Sequence, residues 1–347
     1  MPCKKCETIP WEKPAGVRDI VIYASHEYLL QKFYENLKHA FSIQRYNECL
    51  MLKEDFDDFM QTVSITSSGV FTPLELQNIS IMVCKDVNFL KFNDFKSVRT
   101  LEQWIHIHQA EELKWILEHN AIVTYFQAIV DVSNREIVGY ECLSRGIKRD
   151  GSLLYPETMF RLAEKADLLF YLDRLCRIKS LQSARENVIT KMIFVNFSPS
   201  AIYNPEFCLR STINTAKELN YDVSKVVFEV IESEKLENHE HLKEVLDYYK
   251  KWGFKVALDD VGAGYANLEM LVQLKPDIVK IAMSFVRHVH HEPIKKSVIT
   301  AITTLAKEMG LKTIAEGVET EEEFSTVKDL GVDYAQGYLF GKPTPTI

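Results

Sequence analysis

Asp259 and Asp260 stand side by side at the end of a short apolar run, and the same placement recurs along the rest of the chain. Glu141, Glu229, Glu232, Glu316 and Glu319 lie at or just past similar runs, with Asn196, Ser198, Lys280 and Gln336 in equivalent places. A carboxylate taken out of water must be paired or bound to metal, because burying it bare costs many kcal/mol. One lysine, Lys280, and one arginine, Arg145, are too few to balance this set, so divalent metal is expected to supply the missing charge. Asp, Glu and Asn oxygens are hard ligands, which points to Mg²⁺ or Mn²⁺ rather than zinc. The adjacent Asp259-Asp260 pair suits two ions a few ångströms apart with one carboxylate between them. Two such ions activate a water and stabilise both the attacking and the leaving oxygen of a phosphodiester. Lys280 could orient that water or neutralise the phosphate, and Arg145 could grip a phosphate with its fork of donors. Any one of these carboxylates alone reads as a salt bridge or a helix cap; it is their recurrence at strand ends that argues for a site.

Residues that act together must be brought to one rim. The apolar, β-branched runs are Ile122–Val130, Ile137–Leu143, Met192–Phe197, Val226–Ile231, Lys255–Leu258, Ile278–Ile281, Thr313–Ala315 and Tyr334–Phe340. Helical patterns such as Glu157–Leu168, Tyr171–Glu186, Phe207–Leu219, His239–Trp252, Pro293–Met309 and Glu321–Leu330 separate them. Eight strands alternating with helices predict a parallel sheet closed as a TIM-like (β/α)8 barrel, whose chemistry sits at the carboxyl ends of its strands. An open doubly wound sheet is the alternative that alternation alone leaves standing. Ahead of it, a smaller α/β domain is expected over residues 1–98: a strand at Val17–Ala24, helices through Phe33, Leu37 and Phe41 and over Glu54–Val63, and a strand at Ile79–Cys84. Apolar residues at helical spacing from Leu101 to Leu117 predict one long helix over 99–120, joining this domain to the barrel at 121–347.

The 347 residues fit about two domains, and 46% hydrophobic with 26% charged composition excludes disordered and collagen-like classes. A net charge of −8 argues against nucleic acid and anionic membrane as partners. Seven cysteines, an odd number, do not form a disulfide framework, and no signal-peptide core or membrane-spanning run is visible. A cytoplasmic protein is expected.

The motifs also carry a resemblance. Tyr140-Glu141-Cys142-Leu143-Ser144-Arg145 resembles the Glu-Ala-Leu-x-Arg signature of the EAL family of cyclic di-GMP phosphodiesterases. Gln127-Ala128-Ile129-Val130, Asn196-Phe197-Ser198, Glu229-Val230-Ile231-Glu232, Asp259-Asp260-Val261-Gly262-Ala263-Gly264, Lys280, Ala315-Glu316-Gly317-Val318-Glu319 and Gln336-Gly337-Tyr338 follow in family order, over about residues 115–345. The resemblance implies a metal-dependent enzyme that hydrolyses cyclic di-GMP to linear pGpG and works as a homodimer; a regulatory role for the N-terminal domain is expected because it is a separate domain joined through a long helix to a complete site. It implies that Glu141, Asn196, Glu229 and Asp259 hold one ion, and Asp259, Asp260 and Glu316 the second. It further implies that Lys280 contacts the attacking water, that Gln127, Arg145 and Gln336 serve the substrate, and that Glu232 and Glu319 steady neighbouring loops. Four positions depart from the family: Cys142 for Ala, Ala128 for Pro, Val261 for Phe, and Ala282 for the aspartate of Lys-Ile-Asp. No position assigned to metal is lost, so catalytic competence is expected. The alternative is a weak or inactive barrel that acts as a cyclic di-GMP receptor or a protein-interaction module; a barrel hydrolase for another phosphodiester is a third reading.

Other signals lead elsewhere. Gly262-Ala263-Gly264 lacks the third glycine of a dinucleotide loop and follows two carboxylates that would repel a pyrophosphate. Cys3-x-x-Cys6 offers half a zinc site, which Cys49, Cys84 or a histidine would have to complete; without a second Cys-x-x-Cys it reads as a terminus with free thiols. His288, His290 and His291 read as a solvated loop, and the stripe around Trp104 as packing.

Overall fold

The computed structural model describes residues 8–231, 239–262 and 268–347. They form two compact units, one of Thr8–Trp115 with Thr158–Leu169, the other of Ile116–Glu157 with Phe170–Ile347.

In the first unit, β1 (Val17–Ala24), β2 (Gln44–Tyr46), β3 (Cys49–Asp55), β4 (Ile79–Cys84) and β5 (Arg99–Thr100) make an antiparallel sheet in the order β2-β3-β1-β4-β5. Ile20, Ile22 and Ala24 of β1 are buried while Tyr23 is exposed, the period of two that leaves one face for helices. Those helices, Glu27–Leu37, Phe56–Ser67 and Leu101–Gln109, bury Phe33, Phe56, Phe59 and Trp104. Trp104 meets Phe56 edge-on at 5.0 Å and donates its indole N–H to the Ile81 carbonyl, so its stripe is core. Where one helix is predicted over 99–120, two stand in succession, Leu101–Gln109 and Glu111–Glu118, parted at Ala110 (φ −91°, ψ 8°). No glycine or proline marks that break in the sequence.

The second unit is the barrel. Its strands are β6 (Ile122–Asp131), β7 (Ile137–Ile147), β8 (Leu153–Leu154), β9 (Met192–Phe197), β10 (Val226–Ile231), β11 (Lys255–Val261), β12 (Ile278–Ile281), β13 (Lys312–Ala315) and β14 (Tyr334–Gln336). They run β6-β14-β13-β12-β11-β10-β9-β7, and β7 pairs back to β6 to close eight strands, with short β8 added outside on β7. The closed barrel agrees with the sequence; one detail does not. β6 is antiparallel to both neighbours, β7 and β14, while the other seven strands are parallel. The connection over 132–136 is too short for a helical crossover, so β6 and β7 must form a hairpin. Asp131 Oδ1 accepts from the Ser133 amide, Asn134 Oδ1 accepts from the Glu136 amide, and Arg135 takes φ 62° in the turn.

Strand periodicity then sorts the barrel interior into layers. Ile129, Phe194, Val227, Ala257, Ile278 and Ile314 make one buried apolar cluster, with Tyr334 against it. Two residues further along each parallel strand, on the same face, come Asn196, Glu229, Asp259, Lys280, Glu316 and Gln336. On antiparallel β6 the same level is reached two residues earlier, at Gln127, which pairs with Glu141 of β7. Below Glu141 the strand carries Gly139, where a Cβ would meet the Met192 carbonyl oxygen at 2.9 Å and the Phe194 ring at 3.0 Å. Among the described residues no helix is long and apolar enough to cross a membrane.

Candidate active site

Lys280 is the hub of the polar layer. It is fully buried, with Nζ 2.8 Å from Glu316, 2.9 Å from Glu229, 3.1 Å from Asp259 and 3.8 Å from Glu141. Burial alone would lower its pKa, but the four carboxylates outweigh it and hold the ammonium well above its usual value. The carboxylates are less well served. Glu229 is completely buried, and the ammonium it meets at 2.9 Å is shared with three other carboxylates. Desolvation, with Glu141 and Asp259 adding like charge, raises it well above the usual glutamate value despite Lys280. Burial likewise pushes Glu316 up to about 8. Glu141 goes the other way: burial would raise it, but Lys280 and the amides of Gln336 and Asn196 hold it low. Gln336 Nε2 donates to Glu141 Oε2 (2.6 Å) and to Gln127 Oε1 (3.1 Å), and Asn196 Nδ2 donates to Glu141 Oε1 (3.1 Å). Gln127 spends its own amide on the Gly341 carbonyl at 3.3 Å.

Adjacent residues of a strand face opposite ways, so Asp259 and Asp260 can share a site only if the strand is distorted. It is. The register of β11 against β12 slips between Leu258 and Val261, a bulge, and Asp260 adopts φ 55°. Left-handed backbone at a non-glycine costs about 1–3 kcal/mol and commonly marks a functional site. The result brings oxygens of Asp259, Asp260 and Glu316 within 4.8 Å of one another. Asp260, half-buried, is raised by desolvation and then by Asp259 beside it.

These residues fit divalent metal. Glu141, Glu229, Asp259 and Glu316 face one ammonium, which all four must share. The donor set is all oxygen, hard-ligand chemistry. A pH dependence follows. In metal-free protein Glu316 and Glu229 hold protons that the unfolded chain has released, so raising the pH favours unfolding. This stabilisation is whole below the ordinary glutamate value of 4.5 and drains away as pH climbs to about 8. Melting in EDTA should therefore show a midpoint that falls across that window, with a shallower fall once Mn²⁺ is added; equal slopes would contradict the assignment.

The remaining predicted residues fall around this centre. Arg145 lies on the same face of β7 as Glu141, half-buried, its guanidinium 5.6 Å from the Tyr125 ring and 5.5 Å from the Tyr155 ring. Glu319 is not in the cluster: it pairs with Arg287 on the surface. Glu232, Ala263, Gly264, Cys3 and Cys6 lie outside the described residues. Val261 and Ala282 are buried, and the Ala282 amide donates to the Val261 carbonyl at 3.4 Å. Glu323 does what might be expected of Glu319. Fully buried, it accepts from the amides of His288, Glu319 and Thr320, tying the loop after β13 to the segment after β12. The sequence signal that could have found it is the Thr320-x-x-Glu323 capping box at the start of the helix Glu321–Asp329.

Gly337 secures Gln336. The Val318 amide donates to the Gln336 carbonyl and the Leu339 amide to the Val318 carbonyl, so the two loops lie backbone on backbone. A Cβ at Gly337 would fall 2.0 Å from the Val318 oxygen. Overpacking typically costs about 1–3 kcal/mol, and here neither partner can rotate away. Gly337→Ala should therefore lower the melting temperature by several degrees and loosen Gln336 from Glu141; an unchanged melt would show that the loops can part.

Comparison with known proteins agrees with this geometry. The EAL domain family model matches residues 110–343. Cyclic di-GMP phosphodiesterase PdeR of Escherichia coli (strain K12) is 30% identical over 243 residues, 68% of this chain and 36% of its own length. The probable cyclic di-GMP phosphodiesterase PdeG of the same organism is 31% identical over 246 residues, 68% of this chain and 47% of its own. The chain thus spans less than half the length of either relative. Among solved structures, a standalone versatile EAL protein from Vibrio cholerae O395, in its c-di-GMP bound form, is 33% identical with a TM-score of 0.59, covering 65% of this chain and 93% of that one.

Proposed function

The chain belongs to the EAL domain family, and from that membership and the acidic end of its barrel we propose that it is a metal-dependent phosphodiesterase hydrolysing cyclic di-GMP to linear pGpG. The observation that carries this reading is the bulge in β11, which sets Asp259 and Asp260 beside Glu316. Glu141, Asn196, Glu229 and Asp259 would hold one Mg²⁺ or Mn²⁺, and Asp259, Asp260 and Glu316 a second. Two bound ions supply an acidified water and neutralise charge on the phosphoryl oxygens.

The chain's own groups do the rest. Lys280 keeps its proton at neutral pH, so it acts as a fixed positive charge beside the attacked phosphate and as a donor to water, not as a base. Gln336 and Asn196 hold the two oxygens of Glu141 in one orientation. Arg145 has five N–H donors and gives one to the Ser144 carbonyl, which leaves others for a phosphate. Water adds to phosphorus, the bond to O3′ breaks, and the O3′ oxygen leaves as a hydroxyl, giving a 5′-phosphorylated linear product. The test is turnover of cyclic di-GMP by the purified protein with Mg²⁺ or Mn²⁺, products separated by chromatography. Appearance of pGpG that stops in EDTA supports the reading; no hydrolysis by folded, metal-loaded protein would sink it, and binding without hydrolysis would make the barrel a receptor.

A regulatory N-terminal unit, a homodimer and a cytoplasmic location complete the proposal. Thr158–Leu169 belongs to the first unit although it lies between barrel elements in sequence, and Trp11 Nε1 donates to the Ala166 carbonyl at 2.7 Å within that unit. Trp11→Ala is expected to change kcat with Glu141 and its partners intact; identical kinetics would speak against control through this segment. A monomeric mass by light scattering would remove the dimer.

A further inference from the structure

We propose that Asp173 is a positioning residue for the active site: through the backbone amide of Ser198 it fixes the end of β9, and with it Asn196. The proposal rests on the metal-centre reading given above.

Asp173 sits one turn into the helix Leu169–Glu186 and Arg177 one turn later; both are buried, at 1% and 0% exposure. Asp173 Oδ2 accepts from Arg177 Nε at 2.9 Å and lies 2.8 Å from Nη2, while Oδ1 accepts from the Ser198 amide at 2.8 Å. Arg177 Nη1 donates to Thr212 Oγ1 (2.5 Å) and to the Tyr249 hydroxyl (3.5 Å). The Tyr249 ring stacks on Phe228 at 3.9 Å, next to Glu229 in β10. Three helices, Leu169–Glu186, Arg210–Glu218 and His239–Lys251, thus converge on the residues beside Asn196 and Glu229.

A buried ion pair is weak evidence for stability, because its desolvation cost can exceed its attraction, and replacing both partners by apolar groups is often neutral. What it provides here is direction. Ser198 follows Phe197, the last residue of β9, and its amide lies past the reach of the sheet ladder. Asp173 supplies the acceptor, and Asn196, two residues earlier, is left to orient Glu141. Groups that orient metal ligands typically cost about 10–100-fold in metal affinity or activity when removed.

Two paired variants separate positioning from bulk stability. Asp173→Asn with Arg177→Met removes the buried charges but keeps an oxygen for the Ser198 amide. Asp173→Leu with Arg177→Met removes the oxygen as well. Mn²⁺ affinity by calorimetry, melting temperature and kcat/KM would be measured on both and on the full wild-type chain. The Asn pair is expected to bind Mn²⁺ as the wild type does. The Leu pair is expected to lose about 10–100-fold in Mn²⁺ affinity while still melting cooperatively. Wild-type affinity in the Leu pair, equal losses in both pairs, or a Leu pair that does not fold would each overturn the proposal, the last by showing that the group serves the fold. Were the wild type to bind Mn²⁺ without hydrolysing cyclic di-GMP, the phosphodiesterase reading would fall while the affinity contrast still decided the role of Asp173.

Discussion

Glu141→Ala is expected to abolish turnover of cyclic di-GMP while leaving the fold nearly intact. Glu141 is the carboxylate whose two oxygens are each oriented by an amide, Gln336 on one and Asn196 on the other. It is also the one that Lys280 and those amides keep ionised against burial, ready for a cation. Loss of a group that merely orients a metal ligand costs about 10–100-fold, so loss of the ligand itself should exceed the upper figure. The effect on stability should be smaller, because two opposed changes accompany it. Two amide donors lose a charged acceptor, at about 1.5–3 kcal/mol each. Against that, one of the four acidic groups around Lys280 is gone, and the desolvation of that carboxylate with it. Steady-state kinetics with Mn²⁺, beside a thermal melt in EDTA, would check both halves. Retained turnover would remove Glu141 from the metal site; collapse of the fold would show that the amides depend on it more than the charge balance suggests.

Lys280→Met is expected to have the largest effect on stability. Met has about the same length and no charge, so the packing loss is small and the change reports the ammonium alone. The four acidic groups around it, of which Glu229 is wholly buried, then lose their one counter-charge, which keeps Glu141 ionised and lowers the cost of ionising Glu229 and Glu316. Removing one partner of a buried ion pair costs about 3–5 kcal/mol, a large part of the roughly 5–15 kcal/mol that holds a domain together. The barrel should melt on the order of 10 °C lower in EDTA. Divalent metal should recover part of this, because a ligand at a hundred times its Kd contributes about 2.7 kcal/mol. Turnover should stay lost even where metal restores the fold, since no other described lysine reaches this cluster. Melts with and without Mn²⁺ test the sign: a variant as stable as the wild type in EDTA would mean that the carboxylates are already neutral and the ammonium balances little.

The sequence by itself determined a good deal. Apolar, β-branched runs located the barrel strands within a few residues, and the motifs named Glu141, Asn196, Glu229, Asp259, Lys280, Glu316 and Gln336, which the structure brings to one layer. This was legible because a strand's facing alternates locally: a polar residue two positions past an apolar one declares the same face without any knowledge of the partner strand. What it could not show depends on groups far apart in the chain. The reversed direction of β6 follows from a five-residue turn between Asp131 and Ile137 and from where β14 ends, and hydrophobic runs carry no arrow. The bulge that lets Asp259 and Asp260 point into one site is a mismatch between two strands, invisible in either alone. Glu319 and Glu323 look alike in sequence; only the amides of His288, Glu319 and Thr320 decide which of them is buried and which meets Arg287 at the surface. Asp173 and Arg177 stand four apart in one helix, and only the tertiary structure closes Thr212, Tyr249 and Ser198 around them. Residue type and spacing fix which groups can take part, because they act over a few bonds. Which charges must share one desolvated volume is set by closure of the barrel, because only there does the electrostatic cost of leaving them unpaired arise.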